Sequence, residues 1–465
     1  MAKKRGATPP ARTKAAPPPP RSEPGAVGGI AIAAILAVVL AGTSLAVDTS
    51  AAAAFDAPKR AVALLGTALA AAVALFVLVA ARGAAPSLSR WRAASPLRRA
   101  AVLLAAAALA MALLAALLSP RRALSLDAMR SVLLLAALLP LGASDAVARG
   151  RAWLAGVFLA ACSVNAAVSI LQGTGVYHPF ALETAGSRQD TGAFAGNVGY
   201  LAITLAIASV AALAIFLSAS RWPVRLLTGA AFALFAADLL VNRNLTALSA
   251  AGAGVAALLL ARFRRRAAIP LLAAVVAAGL LVAAYPPLRE RARADWFLLR
   301  AGDWNALVSY RGGPWAAAVE MARERPLSGF GPGVFAAEYV PHRLAAEIRA
   351  RRRFLSPMLT SSYGEAHNDY LQAASDGGVP LALLSLGALA CLLVTSARAA
   401  RARSDPEAAL LFAVLVAGAV AALTWFPLQR PITAVPLLLA AGRAWRVAGR
   451  SDEERPEAAT AEADA

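Results

Sequence analysis

Stretches of roughly 18–23 apolar residues recur along almost the whole of this 465-residue chain, and a run of that length crosses a hydrocarbon layer about 30 Å thick at about 1.5 Å per residue. Within such a layer the backbone finds no water to bond. Each run therefore has to satisfy its own N–H and C=O groups as a helix. Composition agrees: 59% of residues are hydrophobic, against about 45–50% in a soluble domain. Only 15% are charged, and these gather between the runs. The expected fold class is all-α, a polytopic transmembrane helical bundle of about 12 spans with a large extracytoplasmic loop that contains short helices.

The spans are expected near 25–47, 60–81, 100–118, 129–144, 152–172, 197–218, 223–241, 245–261, 267–285, 377–396, 406–425 and 430–447. Residues 1–24 are basic and Pro-rich and read as a disordered cytoplasmic tail, and 448–465 as a disordered acidic one. Between them lie a transmembrane region at 25–285, a polar loop at 286–376 and the C-terminal spans at 377–447. With Lys3, Lys4 and Arg5 placed inside, Arg98, Arg99, Arg149, Arg151, Arg221, Arg225, Arg262, Arg398 and Arg401 also fall inside, as positive-inside topology requires. Arg121, Arg122 and Arg130 break the pattern. Both termini are then cytoplasmic, and the loop at 286–376 faces outward, into the periplasm of a Gram-negative cell. Short amphipathic helices near 313–324 and 342–353 are expected to lie over the membrane surface.

The formal charge of +20 is accounted for by arginines at span ends that meet anionic lipid, so membrane lipids are expected partners and nucleic acid is not. Two cysteines, Cys162 and Cys391, both in apolar runs, exclude a disulfide framework or a Cys-rich metal site. His178, His342 and His367 are scattered, and the outward loops lack an Asp-x-Asp motif. No metal site and no cofactor are expected.

Three outward segments concentrate polar residues: GSRQDTGAFAGNVGYLA at 186–202, VNRNLTALSAAGAG at 241–254, and the long loop with SYRGGPWAAAVEMARERPLSGFGPGVF at 309–335 and YGEAHNDYLQAASDGG at 363–378. The loop orders Arg311 and Trp315, then Pro326, Leu327, Gly329, Gly331, Gly333 and Phe335, then Ala366, His367, Asn368, Tyr370 and Leu371, then Gly377 and Gly378 before a span. This order resembles the signature of the O-antigen ligase and O-antigen polymerase superfamily of bacterial membrane glycosyltransferases. Two positions depart from it. Gly196-Asn197-Val198-Gly199 stands where members often carry Gly-Asn-Pro-Asn, and Ser249-Ala250-Ala251-Gly252 stands where they often carry Ser-Arg-Gly.

The resemblance implies transfer of a glycan from an undecaprenyl-diphosphate donor to an acceptor hydroxyl on a lipid or polysaccharide at the periplasmic face of the inner membrane, without a metal. A chain polymerase of the same superfamily is the alternative, and a lipid-linked glycan flippase or transporter the alternative from another class. The diphosphate leaving group gains charge as the C1–O bond breaks. Guanidinium groups bind such oxygens through paired hydrogen bonds, which makes Arg311 the first candidate, followed by Arg243, six residues ahead of Ser249, and by Arg188. The acceptor hydroxyl needs a base, and His367 fits, with Glu365 placed to fix its tautomer or share its role. Asn368, Tyr370 and Trp315 are expected to contact substrate. The competing reading gives Arg311 a lipid phosphate or a loop carboxylate, and His367 a place beside a helix cap.

Overall fold

The computed structural model describes residues 24–51, 53–80, 91–176, 191–354, 363–403 and 405–450. Residues 1–23 and 451–465, with His178 and Arg188, lie outside the described residues. Elements follow as α1 (Pro24–Leu45), α2 (Asp56–Ala80), α3 (Pro96–Leu118), α4 (Arg122–Ala136), α5 (Leu138–Gly142), α6 (Asp145–Gly173), α7 (Val198–Ser218), α8 (Trp222–Asn242) and α9 (Leu245–Phe263). Next come α10 (Ala268–Ala284), α11 (Pro286–Arg300), α12 (Trp304–Leu307), α13 (Gly312–Glu324), α14 (Phe335–Ala350), α15 (Asp369–Arg403), α16 (Pro406–Ala421) and α17 (Pro431–Ala448). The protein is a polytopic helical bundle. Among the described residues nine helical stretches are long and apolar enough to cross a membrane, with α4 and α5 together forming one of them, and α10 with α11 makes a tenth if that bent pair counts as one span.

Local chemistry explains where the helices start. Ser144, Asn197, Asn244 and Asp405 each accept a backbone N–H of the helix they precede, satisfying a donor that the helix cannot. Pro96, Pro286, Pro406 and Pro431 occupy first turns, where a missing N–H costs nothing. Each expected span has its helix, with two differences. The fourth begins at Arg122 rather than near 129, because Arg122 and Arg130 ride on the helix instead of preceding it. The loop expected from 286 opens with a full helix, α11, set at 96° to α10.

Helix α7 is the buried centre of the bundle, with Leu201, Ile203, Leu205 and Ile207 sealed from the surface. Small residues allow close approach around it. A Cβ on Gly254 would meet Val210 of α7 and Ala417 of α16, and one on Gly142 would meet the Leu439 carbonyl of α17. Where helices pack without water to drive them together, such surfaces carry the packing.

The connections sort onto two faces. On one, Ser119 donates to the Phe330 carbonyl at 2.5 Å and Arg121 pairs with Glu338 at 2.6 Å. Lys59 donates to the Ala46 carbonyl at 2.6 Å, and Arg430 reaches both Asp56 and Glu365. On the other, Arg98 binds the Trp445 carbonyl at 3.1 Å, Arg443 binds Glu407 at 2.7 Å, and Arg446 meets Asp145 at 3.4 Å. The division matches the alternation expected from the arginines, including the outlying group at Arg121, whose loop sits with the long polar segment.

Candidate active site

On the first face, the 312–350 helices are joined to the bundle by a run of backbone as well as by side chains such as Glu338. Gly329, Gly331 and Gly333 all have positive φ (59°, 96° and 76°), open to glycine without steric cost. Phe330 N–H donates to the Ser375 carbonyl at 2.9 Å, Gly331 N–H to the Asp376 carbonyl at 2.7 Å, and Val379 N–H to the Pro326 carbonyl at 2.8 Å. These bonds grip α15 where it breaks, at Gly377 and Gly378. The glycine run is thus a backbone clasp that holds α13, α14 and the 363–368 turn over one end of the bundle.

His367 lies in that turn, at φ 55°, a conformation uncommon for a side-chain-bearing residue. Its Nδ1 is 3.0 Å from the Glu365 carbonyl. A carbonyl only accepts, so Nδ1 carries the hydrogen, and the neutral ring then keeps its lone pair on Nε2. The imidazole sits edge-on among Phe426 (4.6 Å between centroids), Tyr363 (5.1 Å) and Trp425 (5.4 Å). Trp315 donates its indole N–H to the His367 carbonyl at 3.2 Å. The turn is therefore held from both sides.

Arg311, at the start of α13, places its guanidinium 5.1 Å from the Trp425 ring centroid and donates to Thr246 Oγ1 at 3.3 Å. Thr246 in turn lies 2.8 Å from Thr424 Oγ1. Arg311 and His367 thus rest against one indole, which the motif that joins them does not contain. The Trp315 ring also lines an open cavity of about 460 Å³, bordered by Val319, Glu320, Arg323, Arg349 and Phe354.

The other expected residues are placed as follows. The Glu365 carboxylate turns away from His367; its main-chain carbonyl holds the ring, while the carboxylate pairs with Arg430 at 2.5 Å. Burial pushes the Glu365 carboxyl above its ordinary range, and Arg430 opposes that shift. Asn368 caps α15, accepting from the Tyr370 and Leu371 amides at 2.9 Å and donating to the Leu423 carbonyl at 2.7 Å. Tyr370 donates its hydroxyl to the Ala419 carbonyl at 2.8 Å. Arg243 is exposed at the left-handed turn between α8 and α9 (φ 50°), three residues from Thr246. Beside Arg243, Asp238 is buried in α8 and accepts from Asn242 at 2.7 Å. His342 is buried between the Glu338 carbonyl (2.7 Å) and Glu324 (3.1 Å) and braces α13 against α14.

Sequence reasoning did not single out Trp425, Phe426, Thr246 or Arg430. Arg430 bridges Asp56 (3.2 Å) and Glu365 and lies 4.7 Å from the Tyr200 ring centroid, so it joins α2, α7, α17 and the turn that bears His367. The one available signal was its position at a span edge, on the face where arginines are least expected.

The family model described as O-antigen ligase matches residues 230–386, a segment that runs from α8 into α15 and carries Arg243, Thr246, Arg311, Trp315, Glu365 and His367. No curated protein matches the chain. The resemblance to the O-antigen ligase and polymerase superfamily read from the sequence is borne out over that segment.

Proposed function

We infer, from the O-antigen ligase match over residues 230–386 and from the seating of Arg311 and His367 on Trp425, that this membrane protein is a glycosyltransferase taking its glycan from an undecaprenyl-diphosphate donor. An acceptor hydroxyl attacks C1 of the donor sugar, and the C1–O bond to the diphosphate breaks. The hydroxyl proton passes to His367 Nε2, the lone-pair nitrogen left by the Nδ1 contact with the Glu365 carbonyl. Arg311 meets the negative charge that grows on the departing diphosphate, where a fixed cation in a partly buried site is most effective. Arg243, exposed nearby, is the second cation offered to the diphosphate. Trp315, Asn368 and Tyr370 hold the shape of the site, and Trp315 also presents a ring to the cavity beside it, where part of a glycan chain fits. Arg188 is retained as a further phosphate-binding candidate on sequence grounds.

The carrying observation is the shared indole: it brings together a permanent cation and a histidine whose tautomer leaves a base, the two groups this transfer needs. The site face is proposed to look into the periplasm, with both termini in the cytoplasm and the protein in the inner membrane. An acceptor of lipid A-core type makes the enzyme a ligase, and a second lipid-linked glycan makes it a polymerase; both use the same cation and base.

The test is direct. Protein reconstituted with polyprenyl-diphosphate oligosaccharide and either acceptor, in the presence of EDTA, is expected to form a new glycosidic bond and release polyprenyl diphosphate. No product with either acceptor, or product that survives both Arg311→Ala and His367→Ala, overturns the reading.

A further inference from the structure

Helix α11 leaves the end of α10 at 96°. Among the described side chains α10 has none buried in the bundle, while Leu272, Val275 and Leu280 are each about two-thirds exposed (65%, 68% and 65%). Such a helix is at home only with lipid around it. With α10 upright in the bilayer, a helix at 96° to it would run along the bilayer surface, at headgroup depth.

The residues of α11 divide by face. Leu288 is buried, and Arg291, Asp295 and Leu298 turn partly inward, with Arg291 and Asp295 paired at 3.1 Å. At 100° per residue, Arg289, Arg293, Trp296, Phe297 and Arg300 fall within an arc of about 100° on the opposite side. All five are exposed, Phe297 at 72% and Trp296 at 56%. The Arg300 guanidinium lies 5.0 Å from the Trp296 ring centroid. Glu290 is also exposed, at the edge of this arc, leaving three cations against one anion. A face meeting water would not spend two large aromatic rings, and one buried in acyl chains would not carry three arginines. Aromatic rings interleaved with cations fit the layer between, where indoles anchor and phosphates are concentrated.

We propose that the Arg289–Arg293–Trp296–Phe297–Arg300 face of α11 is a docking surface for the headgroups of anionic phospholipids in the leaflet on the site side. This surface is independent of the glycosyltransfer reading. It fixes α11 at headgroup depth, and α11 leads through α12 directly to Arg311.

The full chain, with Cys162 and Cys391 replaced by alanine, is labelled at Ala292→Cys with an environment-sensitive fluorophore; Ala292 is exposed beside this face and leaves every anchor in place. The protein is placed in nanodiscs of phosphatidylcholine alone or with one-third phosphatidylglycerol. Expected are blue-shifted emission, quenching by headgroup spin-labelled lipid, and a clear increase of both with phosphatidylglycerol, each arginine near an anionic surface being worth about fivefold in partitioning. The variant with Arg289, Arg293 and Arg300 all changed to Gln should lose the charge dependence, keep residual quenching through its aromatic rings, and unfold at the parent temperature. Water-like unquenched emission in the parent overturns the proposal. So does a signal indifferent to phosphatidylglycerol, or protection from lipid quencher that accompanies a second copy of the chain.

Discussion

Arg311 and His367 reach the candidate site with parts of their side chains already engaged, which lets their roles be separated from their contribution to folding. His367 stands at φ 55°, and asparagine tolerates that region better than most residues. His367→Asn should keep the turn but lack a base of suitable basicity, so kcat is expected to fall by about 100-fold or more while the thermal unfolding midpoint holds. Arg311→Lys keeps the charge but loses the planar fork, and a loss of about tenfold or more in kcat/KM is expected in the same assay. Glu365 offers a pH test. Burial raises its carboxyl above the ordinary value of 4.5, so the stability tied to its protonated form is full below that value and fades as pH rises through the folded one. Arg430 lowers the same group. In Arg430→Gln the loss of stability with rising pH should therefore extend to higher pH, and in Glu365→Gln that dependence should vanish, both read as thermal unfolding midpoints across pH; an unmoved profile in Arg430→Gln would show that Glu365 ionisation is not coupled to folding. Arg311, Trp315 and His367 were legible in the sequence because they share one ordered motif within a single loop. Trp425, Thr246 and Arg430 were not, because their roles exist only once α9, α16 and α17 bring distant turns to the same end of the bundle.

Helices α13, α14 and α15 depend on a glycine clasp whose spacing was legible but whose partner was not. The alternating glycines announced a run of unusual backbone. Nothing in the local pattern said that it would bond along the break at Gly377–Gly378, since that pairing joins segments some fifty residues apart. Gly378 has φ 71° and ψ −175°, a combination that side-chain-bearing residues essentially never adopt. A Cβ there would also stand 2.4 Å from the Pro326 carbonyl oxygen. Gly378→Ala is accordingly expected to lose about 1–3 kcal/mol, read as a lowered unfolding temperature of the detergent-purified protein. Gly364→Ala, where an added Cβ meets nothing within 4 Å, should be neutral. Equal effects in the two would mean that the clasp bears no particular strain. The helix that opens the polar loop was not legible at this scale for a related reason: Arg289, Arg291 and Arg293 look like loop charges, yet with Leu288, Trp296 and Leu298 they make a two-faced helix.

Across the whole molecule, the order of the apolar helices could be read from hydropathy because a lipid-embedded backbone leaves no alternative to helix, while among the described residues nine or ten rather than about 12 are long and apolar enough to cross on their own, α16 being one of the shorter ones. Their packing could not, since runs of Ala, Leu and Val look alike from every side and the arrangement is decided by sparse glycines such as Gly142 and Gly254. What the fold adds is sidedness. The turn bearing His367, the Arg121 loop and the Asp56–Arg430 pair share one face, and Arg98, Arg149, Arg443 and Arg446 belong to the other. Positive-inside placement assigns the second face to the cytoplasm, and a polyprenyl-diphosphate donor exposed in the outer leaflet can meet His367 only if that assignment holds. Gly364→Cys, exposed three residues from His367, should react in intact cells with a thiol reagent that cannot cross the inner membrane. Arg401→Cys, exposed near the end of α15, should react only after permeabilisation. The reverse labelling pattern would put the candidate base on the side where the proposed donor is absent, and no rearrangement of Arg311 or Trp425 within the bundle could then restore the reaction.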